Sequence, residues 1–203
     1  MENSDSADSA SLVNTEFAYL DKFEVADLAD SRLAEIRDLY LQGLSEQKTS
    51  LDELYQYNEQ IIWQTGRVHR LEALKELYDE YGFMAENAEF VGRYVSAYDS
   101  EKALLDAYNA IEADIHAQNE AGAIGFDWDY NTAIMRFRNN TPYTYTTTFE
   151  FNFVDKDGNV VESTATQVEA QPNSGFTVTA YFSSDEVDNY NWVNYYNEVK
   201  LPS

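Results

Sequence analysis

Two short stretches in the second half of the chain combine aromatic rings with amide and carboxylate side chains. They read DWDYN at residues 127–131 and NYNWVNYYN at residues 189–197. Flat rings stack on sugar faces while amides and carboxylates bond to hydroxyls, so this mixture is typical of glycan-binding surfaces. The candidate ligand-binding residues are Trp128, Tyr130, Tyr190, Trp192 and Tyr196. The alternative is that one tryptophan anchors the core of a β-domain, while the tyrosines line the sheet or the junction with the helices.

A second candidate is the acidic tip in FNFVDKDGNVV, residues 151–161. An EF-hand calcium loop needs a bidentate Glu at its twelfth position, and counting from Asp155 that position is Thr166. The residues instead fit a hairpin turn in which Gly158 supplies a positive φ beside a bulge. The sequence therefore predicts a turn between two strands rather than a metal loop.

Other groupings of reactive residues are weak. His116 has Glu112 one turn before it and Glu120 one turn after it, a spacing that could hold a metal but that a solvated helix face explains equally well. The signatures of serine hydrolases, zinc proteases, phosphate loops and dinucleotide sites do not occur. We predict no catalytic residue, no metal site and no cofactor. A hydrolase with a carboxylate pair is the less favoured alternative, because the many carboxylates single out no pair.

The charge and composition exclude several classes of function. The chain has 203 residues, with 13 Lys and Arg against 37 Asp and Glu, which gives a net charge of −24. Nucleic acids and anionic membranes are bound by cationic patches, so both are poor partners. The absence of cysteine excludes disulfides, zinc–thiolate sites and thiol catalysis. No apolar run reaches the roughly 18 residues needed for a transmembrane helix.

The first half of the chain has helical periodicity and the second half has strand periodicity. Residues 12–122 are free of proline, with apolar residues at three- and four-residue spacing, which predicts an antiparallel three-helix bundle. The first helix is predicted to end near Gln47. A capping box at residues 50–53 starts the second helix, which bends or breaks near Thr65 and Gly66 and ends at a Gly82 cap. Asn87 is predicted to cap the third helix.

After Gly125, runs rich in Thr, Val, Tyr and Phe alternate with turn residues. The five predicted strands are Asp127 to Arg138, Tyr143 to Asp155, Val160 to Val168, Phe176 to Phe182 and Trp192 to Leu201. Phe149, Phe151 and Phe153 share one face of the second of them, which places a core on that face. We predict a small antiparallel immunoglobulin-like β-sandwich over residues 123–203. The predicted fold class is therefore α+β with two domains.

One segment of this half resembles a known family. Phe151-Asn152-Phe153-Val154-Asp155 followed by Gly158 is similar to the signature of FxLYD-type domains, which are small β-sandwich modules of secreted and lipid-anchored bacterial proteins. The Asn-rich residues 138–141 and the turn at 172–175 stand where that family has its "N.T" and "pG" elements. Phe153 replaces the family's Leu, and Val154 its Tyr. The resemblance covers residues 123–203 and implies an extracellular accessory module without known catalytic residues.

The N-terminal MENSDSADSASLVN is acidic and rich in Ser and Ala, and we predict a flexible leader over residues 1–11. Such a leader suits a mature bacterial lipoprotein whose signal and lipid-bearing cysteine precede this sequence. An intracellular chain with a frayed N-terminus is the alternative. We expect an extracellular, surface-anchored protein that acts as a non-enzymatic binding or structural module. Its expected partner is a protein or a cell-surface glycan.

Overall fold

A computed structural model describes residues 4–20, 30–52, 59–83 and 86–202. Within these residues, four α-helices are followed by six β-strands, which confirms the α+β class. The helices are α1 (Ser4–Leu20), α2 (Ser31–Asp52), α3 (Glu59–Tyr81) and α4 (Ala88–Glu120). The strands are β1 (Gly125–Asp129), β2 (Thr132–Arg138), β3 (Thr144–Val154), β4 (Val160–Ala170), β5 (Gly175–Tyr181) and β6 (Asn189–Lys200). The chain divides into two compact units, Met1–Leu105 and Asp106–Ser203.

The described part of the chain contains four helices where the sequence predicted three. α1 and α2 are separate helices that pack against each other, and the Tyr40 hydroxyl of α2 donates to the Glu16 carboxylate of α1 over 2.9 Å. One continuous helix could not bring these two residues together. α1 begins at Ser4, inside the stretch predicted as a flexible leader. No Gly or Pro precedes Gly43 in the sequence, so no helix-breaking residue type interrupts this region.

The predicted connection after Gln47 is wrong. Lys48 and Thr49 lie inside α2, which continues to Asp52. Ser50 therefore does not begin a new helix. It is buried, and its hydroxyl donates to the backbone carbonyl of Glu59 at the start of α3 over 3.0 Å. Glu53, the last residue of the predicted capping box, lies outside the described residues.

The helices α2 and α3 cross at a pair of glycines. A Cβ atom on Gly43 would lie 2.5 Å from the carbonyl oxygen of Gly66, and a Cβ on Gly66 would overlap the carbonyl oxygen of Gly43. The sequence predicted a bend or break near Thr65 and Gly66, and the break is wrong, because α3 is one helix from Glu59 to Tyr81. Gly66 is part of the buried face of α3, and its missing side chain lets the axes of α2 and α3 approach each other.

The predicted helix caps around residues 82–87 are confirmed. Gly82 has a φ of +64°, and its N–H donates to the Tyr78 carbonyl over 2.9 Å, which closes the last turn of α3. Asn87 directly precedes α4, and its carbonyl accepts the N–H of Val91 over 3.1 Å. α4 ends at Glu120, two residues before Gly122.

The second unit contains two three-stranded antiparallel sheets. Their strand orders are β1-β2-β5 and β4-β3-β6. The first predicted strand is in fact two strands, since β1 and β2 form a hairpin whose turn is Tyr130 and Asn131. This turn contains neither Gly nor Pro, the residues that most often mark such turns in a sequence.

The two sheets share one aromatic core. The central strand β3 buries every second side chain, including Phe149, Phe151 and Phe153, as predicted. The ring of Phe137 in the other sheet lies 5.0 Å from that of Phe149, centroid to centroid. Contacts of this kind tie the sheets together through their inner faces. The immunoglobulin-like subtype stays a prediction.

The acidic tip at residues 155–159 is a turn between β3 and β4. The Asp155 N–H donates to the Asn159 carbonyl over 3.0 Å, Gly158 has a φ of +83°, and the ladder shifts register between Phe153 and Val154. One Asp155 carboxylate oxygen accepts the backbone N–H groups of Asp157 and Asn159, both over 2.9 Å. Hydrogen bonds from Asn159 and from these amides hold the pKa of Asp155 below its usual value. The predicted turn is confirmed.

The last turns of α4 belong to the second unit and are bonded to its strands. The Gln118 amide donates to the Arg138 carbonyl over 2.7 Å and accepts the Arg138 N–H over 3.0 Å. The Asp114 carboxylate accepts both the backbone N–H and the side-chain amide of Asn140, over 3.0 and 2.8 Å. These contacts place the unit boundary inside α4, ahead of residue 123, where the strand-like composition begins.

Candidate functional site

Tyr130 is the most exposed aromatic residue of the candidate set. It lies in the turn between β1 and β2, and 92% of its surface is accessible. Its φ is +46°, a left-handed conformation that costs a bulky residue about 1 to 2 kcal/mol and that Gly or Asn would adopt more readily. A tyrosine with a strained backbone and a solvent-exposed ring contributes little to the stability of the fold. Residues of this kind are concentrated at functional sites.

Trp128 lies two residues earlier on β1 and is held in place by other rings. It stacks on Tyr190 with the ring centroids 5.5 Å apart and the planes at 15°, and it lies 4.9 Å from Phe182. It nevertheless remains 42% exposed. Because packing fixes its orientation, Trp128 can present its accessible surface to a ligand at little cost in conformational entropy.

A concavity of about 420 Å³ adjoins these two rings. Its wall includes the side chains of Asn131, Ser183 and Asp185, which can donate to and accept from hydroxyl groups. The sheet topology explains the assembly, because β1 and β5 lie on either side of β2 and both finish at the same end of the sheet. There the Phe182 N–H donates to the Asn131 carbonyl over 3.0 Å. The turn after β1 and the loop after β5 therefore form one surface.

The loop after β5 is held by Glu162 of β4. Its carboxylate accepts the backbone N–H of Ser183 over 2.8 Å, the N–H of Ser184 over 3.1 Å and the Ser183 hydroxyl over 3.1 Å. These bonds lower the pKa of Glu162, with the Ser183 N–H as the largest cause. These three hydrogen bonds fix the backbone at one rim of the concavity.

The structure places the other two candidates differently. Tyr196 is only 3% exposed, and its hydroxyl donates to the Glu112 carboxylate over 2.6 Å. Burial, followed by the negative charge of Glu112, raises the pKa of Tyr196. Trp192 lies between the sheets, with its ring centroid 5.6 Å from those of both Phe137 and Phe149. Tyr196 is a core residue and Trp192 is half-buried between the sheets. Trp128 stacks on Tyr190 and lines the same concavity as Tyr130.

We call the exposed Trp128 and Tyr130 with their concavity, together with the half-buried Tyr190 that stacks on Trp128, the aromatic surface. Sequence reasoning missed Asn131, Phe182, Ser183 and Asp185 as members of its surroundings. The signal was partial, because residues 183–185 are recognisable as a turn but nothing in the sequence shows that this turn meets the tip of β1.

The metal arrangement considered around His116 does not assemble. The Glu112 carboxylate is occupied by Tyr196, while His116 faces Glu120 over 3.5 Å. In the part of the chain that the structure describes, no group of three or more His, Asp or Glu side chains could hold a metal ion. None of the helices in the described ranges is both long and apolar enough to cross a membrane.

No family model matches this chain, and no curated protein matches its sequence. Among solved structures, the chain is similar to the crystal structure of a DUF1425 family member from Shewanella sp. pv-4. The identity is 14%, the TM-score is 0.30, and the alignment covers 39% of this chain and 76% of that one. The resemblance to FxLYD-type domains is not confirmed by these comparisons and remains a prediction.

Proposed function

We propose that this protein is a non-enzymatic binding module whose second unit binds carbohydrate through the aromatic surface. The observation that carries the proposal is Tyr130, a bulky ring held almost fully exposed by a left-handed backbone. A ring that neither packs in the core nor suits its turn is explained by contact with a ligand.

The chemistry beside Tyr130 supports carbohydrate as the ligand. Sugar rings have an apolar face that packs on aromatic rings, and hydroxyl groups that bond to amides, hydroxyls and carboxylates. Trp128 and Tyr130 offer the rings, while Asn131, Ser183 and Asp185 offer the polar groups. Because the chain carries a net charge of −24 and Asp185 lines the concavity, a neutral polysaccharide fits better than an anionic one.

In the part of the chain that the structure describes, four carboxylates have a clearly shifted pKa, and they support the non-enzymatic part of the proposal. Those of Asp30, Glu80, Asp155 and Glu162 are all lowered by hydrogen bonds that hold turns, helix ends or ion pairs. A carboxylic general acid in a hydrolase needs a raised pKa instead.

The finer assignments belong to the same proposal. We propose that the helices form an antiparallel bundle and that the second unit is an FxLYD-type, immunoglobulin-like sandwich. We further propose an extracellular location at the bacterial cell surface with a lipid anchor upstream of this sequence. Fractionation of cells that express the complete gene, with globomycin added to block lipoprotein processing, tests the location.

Co-sedimentation tests the carbohydrate proposal. The purified protein is mixed with insoluble neutral polysaccharides, with isolated cell wall and with an anionic polysaccharide gel as comparison. We expect retention on at least one neutral polymer, and we expect Tyr130→Ala and Trp128→Ala each to weaken the binding about fivefold, since one stacked ring is worth roughly 1 kcal/mol.

Tyr181→Ala is the matched control, because Tyr181 is a β5 tyrosine that is 67% exposed but does not line the concavity. Equal losses for Tyr181→Ala and Tyr130→Ala would show non-specific adhesion. If the wild-type protein stays in the supernatant with every polymer, the aromatic surface does not bind carbohydrate, and a protein partner becomes the better candidate.

A further inference from the structure

The first unit contains a cavity that sequence reasoning did not anticipate. Its volume is about 480 Å³, within the range of roughly 300 to 1,000 Å³ typical of small-molecule sites. All four helices contribute to its wall, for example through Val13 of α1, Gln47 of α2, Trp63 of α3 and Tyr94 of α4. A wall assembled from four helices is a three-dimensional site rather than a groove between two neighbours.

Part of the wall is apolar. Val13 and Leu71 are buried, and Leu74 and the indole of Trp63 also line the space. Such a surface favours a ligand that brings carbon atoms into contact with it. At about 30 Å³ per water-sized group, the volume accommodates roughly 10 to 15 non-hydrogen atoms.

The wall also contains three arginines, beside the carboxylate of Glu16 and the amide of Gln47. Arg67, Arg70 and Arg93 all line the cavity, although the whole sequence contains only 13 Lys and Arg. Arg67 is paired with Glu101 over 2.7 Å, and Arg93 is paired with Glu89 over 2.6 Å. Since each guanidinium carries five N–H donors, one carboxylate partner leaves donors available for a ligand.

Arg70 likewise has more N–H donors than its hydrogen-bond partners use. It donates to Gln47 over 2.6 Å, to the Tyr40 hydroxyl over 2.9 Å and to the Glu16 carboxylate. Its Nε is buried and makes no hydrogen bond to any residue that the structure describes. Glu16 and Gln47, which provide acceptor groups on the cavity wall, are thus already engaged by Arg70.

We propose that this cavity binds a small monocarboxylate with an apolar body, such as a medium-chain fatty acid. The carboxylate bonds to the arginine donors and the carbon chain packs against Trp63 and the leucines. A phosphate ester suits the site less well, because its second negative charge is opposed by the net charge of −24. The proposal uses residues of the first unit alone and does not depend on carbohydrate binding.

The test compares octanoate with 1-octanol, which has the same chain length but no charge. The chain has three tryptophans, Trp63, Trp128 and Trp192, so their indole N–H signals in ¹⁵N–¹H spectra give one reporter in the cavity and two references outside it. We expect octanoate to shift the Trp63 signal saturably at a ratio of 1:1, with a Kd of roughly 1 mM or tighter. Octanol is expected to bind about tenfold more weakly.

Two variants each remove one arginine from the cavity wall, and a third variant, which changes an arginine elsewhere, serves as the control. Arg67→Gln and Arg93→Gln are each expected to reduce the preference for octanoate over octanol by about fivefold or more. The Arg93 side chain is 76% exposed and its pair with Glu89 is a surface pair, so its loss leaves the fold intact. Arg136→Gln makes the same change of charge at an arginine of similar exposure to Arg67, 53% against 49%, outside the cavity.

Three results would overturn the proposal. The first is that neither octanoate nor octanol shifts the Trp63 signal up to the solubility limit. The second is equal binding of the two compounds, which shows that the arginines do not contribute. The third is an unchanged preference in both cavity variants, or a loss in Arg136→Gln as large as theirs.

Discussion

Adding one methyl group to Gly66 tests the close crossing of α2 and α3. In Gly66→Ala the new Cβ would meet the Gly43 carbonyl oxygen, and it would lie 2.8 Å from Gln47 Cγ and 3.0 Å from the Gln47 backbone nitrogen. Two of these atoms belong to the backbone of α2 and cannot rotate away. The helices must therefore separate, which weakens the packing along their whole contact.

The size of the effect follows from two opposing terms. Overpacking at a rigid contact costs about 3 kcal/mol, at the upper end of the usual range. Replacing Gly by Ala inside a helix stabilises it by about 1 kcal/mol, because Ala loses less backbone entropy on folding. The expected net loss of unfolding free energy is about 2 kcal/mol.

Gly92→Ala supplies the matched control. Gly92 lies inside α4, is exposed, and a Cβ added there would meet nothing within 4 Å. Only the propensity gain applies, so we expect this variant to be more stable than the wild type by about 0.5 to 1 kcal/mol.

The stability of both variants is measured by urea unfolding, monitored by circular dichroism at 222 nm. With a slope of about 2 kcal/mol/M, Gly66→Ala should lower the midpoint of the helical transition by about 1 M, while Gly92→Ala should raise it slightly. If both substitutions raise the midpoint, the methyl group at Gly66 meets open space and the close crossing is refuted.

Three further predictions concern the second unit. Tyr130→Gly should stabilise it by about 1 kcal/mol in thermal unfolding, since Gly adopts the left-handed turn freely, and should weaken retention on polysaccharide as Tyr130→Ala does; lower stability would contradict the strain. Gln118→Ala leaves the N–H and carbonyl of Arg138 without this partner and should cost about 2 kcal/mol in urea unfolding, whereas Asn119→Ala on the exposed side should cost little. Burial raises the pKa of Tyr196, so the folded state keeps the hydroxyl proton up to a higher pH than the unfolded state does. The free energy of unfolding should therefore have its full value below about pH 10 and should fall above it. Tyr196→Phe should reduce this alkaline loss, as measured by urea midpoints from pH 8 to 11, and an unchanged slope would contradict the assignment.

Local signals in the sequence predict some ends of elements, although not the end of α2. The Gly82 cap, the position of Asn87 and the turn at residues 155–159 each depend on a few neighbouring residues whose backbone preferences are strong. The alternation of Phe149 and its neighbours likewise follows from the period of a strand.

Features that depend on distant partners could not be predicted in this way. A glycine within a helical pattern is compatible with a break or with a close contact, and only the presence of Gly43 opposite Gly66 decides between them. Trp128 and Trp192 lie in similar aromatic and polar stretches, and both belong to edge strands, yet Trp128 is 42% exposed while Trp192 is half-buried against Phe137 and Phe149. The rings that cover each indole come from distant strands, which the local sequence does not encode.

The bonds between α4 and the strands change where an isolated β-fragment should begin. A fragment cut at residue 123, where the composition changes, would lose Asp114 and Gln118 and expose the backbone groups of Asn140 and Arg138 that they occupy. A fragment that begins at Asp106 keeps them. The last turns of a helix are thus part of what makes this β-unit transferable, so a designer who grafts it onto another protein must carry those turns with it.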